Sequence, residues 1–234
     1  MDSNTKMVAG IILVSALIVV GASFFFNPQP KTTDTTTSTL TENPGPLSPE
    51  QLAAYNVDMT NKTNPIAKFT TNFGTFEVEL FADTMPITTE NFIKLTEENF
   101  YDGIKFHRVI PNFMIQGGDP ITKTDEVMRY GTGGPGYSIP DEHIAGKYLT
   151  NVRGTISMAN SGPNSGGSQF FINVVDNTFL DFNDPSTSSQ HPVFGRVLNG
   201  MDVVDKISVL ETNPSNNLPL EDVVMEKVEI VYPE

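Results

Sequence analysis

The sequence predicts a mainly β domain, a closed antiparallel barrel carrying two helices, preceded by one transmembrane helix and a disordered linker. Three observations carry this prediction. After residue 63 the chain is a succession of short apolar runs separated by glycine-rich turns, only two stretches there carry helix signals, and Met7 to Phe26 contains no charged residue.

The N-terminal element is read from length and polarity. Residues 1–26 include MVAGIILVSALIVVGASFFF. At about 1.5 Å per residue this run is long enough for the roughly 30 Å hydrocarbon core of a bilayer. A cleaved secretory peptide has a shorter apolar stretch and a small-residue cleavage site, whereas here the run continues through Phe24, Phe25 and Phe26. An uncleaved anchor is therefore the first reading and secretion after cleavage the alternative. Lys6 and the α-amino group favour an N-terminus inside, which places the folded region outside the cytoplasm. Residues 27–63 turn to Thr, Pro, Ser and Asn, with Pro28, Pro30, Pro44, Pro46 and Pro49, and hold too few large apolar residues to offset the entropy of ordering. They read as a stiffened tether with a formal glycosylation acceptor at Asn61-Lys62-Thr63.

Residues 64–234 read as one domain of ordinary size. Lys68 to Phe73 and Thr75 to Phe81 form a predicted hairpin around Asn72-Phe73-Gly74, with Phe76, Val78 and Leu80 alternating with polar residues. Further strands are expected at Lys105 to Ile110, Phe113 to Gln116, Thr155 to Met158, Gln169 to Val174, Val193 to Val197 and Val223 to Val231. Pro86 suits the first turn of a helix running to about Glu98, and Asp202 to Ile207 reads as a second, shorter one.

Composition removes several functions. There is no cysteine, so disulfide frameworks, thiolate metal sites and thiol nucleophiles are excluded. A net charge of −14 with no basic run argues against nucleic acid as a partner, because the chain would repel an already anionic ligand. His107, His143 and His191 lie far apart without ligand spacing, and no metal or other cofactor is expected. The glycine-rich run from Gly131 to Gly136 lacks the Lys-Ser/Thr of a phosphate-binding loop, and Ser157, Ser161, Ser165 and Ser168 sit in no nucleophile elbow.

Two segments place a permanent cation and several side-chain amides among large apolar groups: FHRVIPNFMIQGGD, residues 106–119, and SMANSGPNSGGSQFFI, residues 157–172. From the residues alone two readings stand. Arg108 faces a groove floored by Phe113, Met114 and Phe171 and rimmed by Gln116, Asn160 and Gln169, fit for an extended peptide with one apolar side chain; or the apolar residues are core and Arg108 pairs with a surface carboxylate.

These two segments, with GTGGPGYSIPDE and HPVFGRVLNGMDVVDKI, resemble the cyclophilins, the cyclosporin-binding family of peptidyl-prolyl cis-trans isomerases. The resemblance covers about Asn64 to Glu234 and favours the groove. It implies eight strands closed into a barrel capped by two helices, proline-containing polypeptides as substrates, and no cofactor. Carried over position by position, it makes Arg108 the catalytic arginine. Phe113, Met114, Phe171 and Leu180 then line the proline pocket with His191 at its border, and Gln116, Asn160 and Gln169 hold the peptide backbone beside Ala159. Phe179 stands where many relatives carry a tryptophan that contacts cyclosporin, so cyclosporin is expected to bind more weakly. Ile121 to Tyr130 and Phe182 to Gln190 are extra stretches that lengthen loops near the groove. The expected protein is a monomeric isomerase on the outer face of a membrane, with a catalytically weak binding module for Pro-containing segments as the rival.

Overall fold

A computed structural model of the chain describes residues 64–143, 149–181 and 190–233. The expected anchor at Met7 to Phe26, the linker with its sequon, and most of the second loop insertion lie outside the described residues. Among the described residues no helix is long and apolar enough to cross a membrane.

The strands are β1 (Ile66–Thr71), β2 (Gly74–Leu80), β3 (Arg108–Ile110), β4 (Met114–Gly117), β5 (Thr155–Met158), β6 (Phe170–Asn173), β7 (Val193–Asn199) and β8 (Met225–Val231). The helices are α1 (Pro86–Glu97), between β2 and β3, and α2 (Met201–Ser208), between β7 and β8. All eight strands belong to one antiparallel sheet in the order β3-β4-β6-β5-β7-β2-β1-β8.

The strand count matches the expectation, but the closed ladder does not form among the described residues. No register joins the edge strands β3 and β8. The chain just before each is stitched instead: Lys105 bridges Val224, Phe106 N–H donates to Val223 O at 2.8 Å, and Met225 N–H donates to Ile104 O at 2.8 Å. Pro111 and Asn112, the latter at φ 57°, end β3 after three residues, and its outer edge is taken by the loop before β8, where Val109 N–H donates to Asn217 O at 2.9 Å.

The β1–β2 hairpin follows from period-two burial, with Ala67, Phe69, Phe76, Val78 and Leu80 all facing the core. At its turn Thr71 Oγ1 accepts from Phe73 N–H and donates to Gly74 O. Gly74 sits at φ +133°, and a Cβ there would come within 2.9 Å of Val203 Cγ2 on α2, so both backbone and packing demand glycine. The core is aromatic. Phe69 stacks on Phe76 at 4.6 Å, Phe92 stacks on Tyr101 at 4.9 Å, and Phe170 meets Phe69, Phe92, Tyr101 and Phe106 edge-on. Each fully buried ring contributes about 1.5–3 kcal/mol. Helix α1 starts at Pro86, and the buried Glu142 carboxylate accepts from the free Ile87 and Thr88 N–H groups of its first turn at 2.9 and 2.8 Å. Helix α2 buries Val204 and Ile207, and its Asp205 takes two 2.7 Å bonds from the Arg153 guanidinium.

Candidate active site

Strand alternation sorts β3, β4 and β6 into two faces. Val109, Ile115, Phe170 and Ile172 point into the main core, while Arg108, Ile110, Met114, Gln116 and Phe171 take the other face, because the register pairs Arg108 with Gln116, Ile110 with Met114, and Gln116 with Phe171. On that face Met114, Phe171 and Leu180 form a second apolar cluster, with Ile110, Phe113 and Ala159 packed against it.

A buried polar scaffold holds this cluster. Phe113 O accepts from Asn177 Nδ2 at 2.8 Å and from Val174 N–H at 3.1 Å, and Asn177 Nδ2 also donates to Asn173 Oδ1 at 2.8 Å. Leu180 lies on a 3-10 turn, Thr178–Leu180, and its carbonyl accepts from His191 N–H at 3.1 Å. The next residue, Asp181, is buried and accepts from Thr150 Oγ1, Asn151 N–H and Asn151 Nδ2 at 2.5, 2.7 and 2.9 Å. The pocket wall is thus tied to the sheet by groups that have no solvent to fall back on. Phe179 is 50% exposed and stacks on Phe113 at 6.0 Å. His191 meets Phe171 edge-on at 5.2 Å, and its Nδ1 lies 3.0 Å from Met158 O, so that nitrogen carries the proton. Burial lowers the His191 pKa and favours the neutral ring.

Arg108 stands at the edge of this cluster in an unusual electrostatic position. The other three arginines each pair with a carboxylate: Arg129 with Glu126, Arg153 with Asp205 and Arg196 with Glu79. Among the described residues Arg108 has no such partner. Its Nη1 donates to the neutral Gln116 Oε1 at 3.2 Å, and its guanidinium carbon lies 5.9 Å from the Phe113 ring centroid. Burial lowers its pKa, as expected for a half-buried cation without a counter-ion, yet a guanidinium stays charged. The reading in which Arg108 pairs with a surface carboxylate is therefore not what the structure shows.

The amides form a directed chain behind it. Gln116 Nε2 donates to Gln169 Oε1 at 3.0 Å, and Gln169 Nε2 donates to Gly133 O at 2.8 Å. The Gly133 loop is anchored by Asp119, which is fully buried and accepts from Ile121 N–H at 2.8 Å, Gly131 N–H at 2.5 Å and Gly133 N–H at 3.2 Å. Gly133 lies so close that a Cβ there would sit 2.1 Å from Asp119 Oδ1. One buried carboxylate thus fixes the loop that orients two glutamines, which in turn orient the guanidinium. A cavity of about 650 Å³ opens beside them, lined among others by Gln116, Gly133, Tyr137, Ala159, Asn160 and Gln169.

Arg108, Phe113, Met114, Gln116, Gln169, Phe171, Phe179, Leu180 and His191, with Ala159 and Asn160, are brought together around this face. Asn160 Nδ2 donates to Gln190 O at 2.7 Å and its Oδ1 accepts from Gly162 N–H at 3.4 Å, and the residue lines the cavity. Sequence reasoning missed Asp119, Asn173, Asn177 and Asp181. Only Asp119 carried a signal, since an Asp before Pro120 is the start of a capped turn, and it does cap the 3-10 turn Pro120–Lys123. Among the described residues no group of three His, Asp or Glu side chains is placed to hold a metal ion.

The sheet and this face define a β protein with an outer groove, apolar at one end and amide-lined at the other, suited to an extended peptide. Residues 66–230 match the family described as cyclophilin type peptidyl-prolyl cis-trans isomerase/CLD. A peptidyl-prolyl cis-trans isomerase of Acinetobacter baylyi is 43% identical over 171 residues, 71% of this chain and 86% of that protein. Peptidyl-prolyl cis-trans isomerase 4 of Caenorhabditis elegans is 38% identical over 173 residues, 72% of this chain but 30% of that longer protein. The crystal structure of a cyclophilin type isomerase of Cryptosporidium parvum aligns with a TM-score of 0.62 at 27% identity, covering 74% of this chain and 99% of that one. A second crystal structure of that same protein, solved in the presence of the dipeptide Ala-Pro, aligns with a TM-score of 0.61 at 27% identity, covering 71% of this chain and 98% of that one. The chain belongs to the cyclophilin-type peptidyl-prolyl cis-trans isomerases and is an enzyme of that type.

Proposed function

We propose that the chain turns over Xaa-Pro bonds of polypeptides at the outer face of a membrane, with Arg108 as the catalytic residue. The observation that carries the site assignment is the uncompensated guanidinium at the edge of an apolar pocket. Amide rotation costs about 18–20 kcal/mol because the nitrogen lone pair is delocalised into the carbonyl. In the twisted transition state the pair is localised on nitrogen and accepts a hydrogen bond that the planar ground state does not. Arg108 supplies that donor, and a nearby carboxylate would have drained its field. Phe113, Met114, Phe171 and Leu180 grip the pyrrolidine ring. Gln116, Asn160 and Gln169, with Ala159 beside them, hold the flanking chain so that one side of the bond turns against the other. The direct test is whether the full chain in detergent accelerates cis/trans relaxation of a short Xaa-Pro peptide.

The membrane part of the reading rests on the uncharged Met7 to Phe26 run and the Pro-rich tether after it. There the enzyme would relieve the slow proline steps of exported chains. In cell fractionation the protein is expected to stay with membranes through high-salt and alkaline washes and to leave only with detergent. Release by salt, or recovery from the culture fluid, would sink the anchor and favour cleavage and secretion.

Phe179 sets the cyclosporin prediction. Its exposed ring keeps the apolar contact with Phe113 but has no N–H to donate. Phe179→Trp is expected to tighten cyclosporin about fivefold, the worth of one hydrogen bond of roughly 1 kcal/mol. An unchanged Kd by isothermal titration would show that this position does not limit the drug.

A further inference from the structure

A second cavity, of about 350 Å³, shares Arg108 and Gln116 with the site above and is lined as well by Val127, Met128, Tyr130 and Leu218, with His107 and Asn216 as further polar lining. Val127 and Met128 come from the stretch between Asp119 and the glycine-rich loop, on the 3-10 turn Val127–Arg129, and are 42% and 95% exposed. The turn that presents them is firmly built. Asp119 clamps both ends through Ile121 N–H and Gly131 N–H. Thr122 Oγ1 donates to Asp119 O at 2.7 Å and accepts from Lys105 N–H at 3.0 Å. Tyr130 Oη donates to Thr124 O at 2.6 Å, and Arg129 pairs with Glu126 at 2.5 Å. Two apolar side chains are thus held at the water boundary of a cavity that touches the catalytic guanidinium, when the same turn could have carried polar residues at no packing cost.

We propose that this cavity is a specificity pocket for a large apolar side chain of the substrate, a residue within three positions of the proline. The inference rests on the isomerase reading and deepens it. The occupant follows from continuity: a chain held by Gln116 with its proline beside Arg108 has its neighbouring residues within reach of the same two side chains. The lining sets the chemistry. Val127, Met128 and Leu218 offer apolar surface, and Arg108 repels a lysine or arginine. Methionine suits such a wall because its unbranched thioether adapts to Leu, Met or Phe.

The test uses the full chain in detergent and an Ala-Pro peptide with alanines at the three positions on either side, into which leucine is placed one position at a time. NMR exchange gives kcat/KM, and titration of the same samples gives Kd. Leucine at one position is expected to raise kcat/KM and tighten Kd at least about fivefold over alanine. In a Val127→Ser, Met128→Ser double variant that ratio should fall to within about twofold of one, and Met128→Leu should retain it. Because the ratio is internal to each protein, a general loss of activity does not mimic the result. No leucine preference in the wild type, or a preference that survives in the double variant, overturns the proposal. Binding that follows the expected pattern without acceleration of any peptide supports the pocket while sinking the isomerase reading, so the two failures are told apart.

Discussion

Arg108→Ala is expected to lower kcat/KM for an Xaa-Pro peptide by at least about tenfold, some 1.4 kcal/mol of lost transition-state stabilisation. The loss should fall on kcat more than on KM, since in the proposed mechanism the guanidinium bonds the prolyl nitrogen only when its lone pair is localised. Arg108→Lys keeps the charge but loses the planar fork that meets Gln116 Oε1 and a substrate atom together, and should recover only part of the rate. NMR exchange on a short peptide with the full chain measures both variants. An Arg108→Ala protein as fast as wild type would remove the residue from the mechanism. A peptide that binds without acceleration by either protein would make the chain a binding module for Pro-containing segments.

The prediction joins what the sequence makes legible to what it hides. The residue types of the candidate site are legible because they fall close together: Arg108, Phe113, Met114 and Gln116 lie within nine positions on one hairpin, alternation puts three of them on one face, and the resemblance of that segment to a family chose the groove over a buried core. The β1–β2 hairpin and both helices are legible for the same local reason. The supports are not. Asp119 acts on backbone N–H groups up to fourteen residues away, and any sequence could supply those. Asn177 holds Phe113 across 64 residues through a carbonyl that carries no sequence signature. Barrel closure is a long-range property as well. The run Lys105 to Ile110 looks like one strand, yet Lys105 bridges Val224 while only Arg108–Ile110 joins the ladder, and the outer edge of β3 is taken by the distant Asn217, whose carbonyl accepts from Val109 N–H. The exposure of Val127 and Met128 also depends on where the Asp119 clamp holds their turn, which apolar character alone does not predict.

Beside the arginine lies a group that makes stability fall on mild acidification. His107 is 6% exposed, and neither ring nitrogen has a hydrogen-bond partner. Burial pushes its pKa down from 6.5 to about 4; the Asp119 carboxylate opposes this, Arg108 adds to it, and the Lys105 carbonyl opposes it weakly. Because the folded value lies below the unfolded one, the unfolded chain takes up the proton first as pH falls. Stability from this group is therefore complete above about pH 6.5 and is lost down to about pH 4, by on the order of 3 kcal/mol in all, at a slope approaching 1.4 kcal/mol per pH unit. Burial lowers the pKa of His143 and His191 too, so they act in the same direction. Urea unfolding of the full chain followed by circular dichroism, at pH values from 7 down to 5, reads this slope before the carboxylates titrate. His107→Leu keeps the site apolar, leaves no unpaired nitrogen, and should flatten the profile. A variant with the wild-type slope would move the acid sensitivity to the other histidines. A flattened one would show that a neutral ring beside Arg108 is a condition of the fold, so that in the proposed mechanism His107 adds no second positive charge next to the guanidinium.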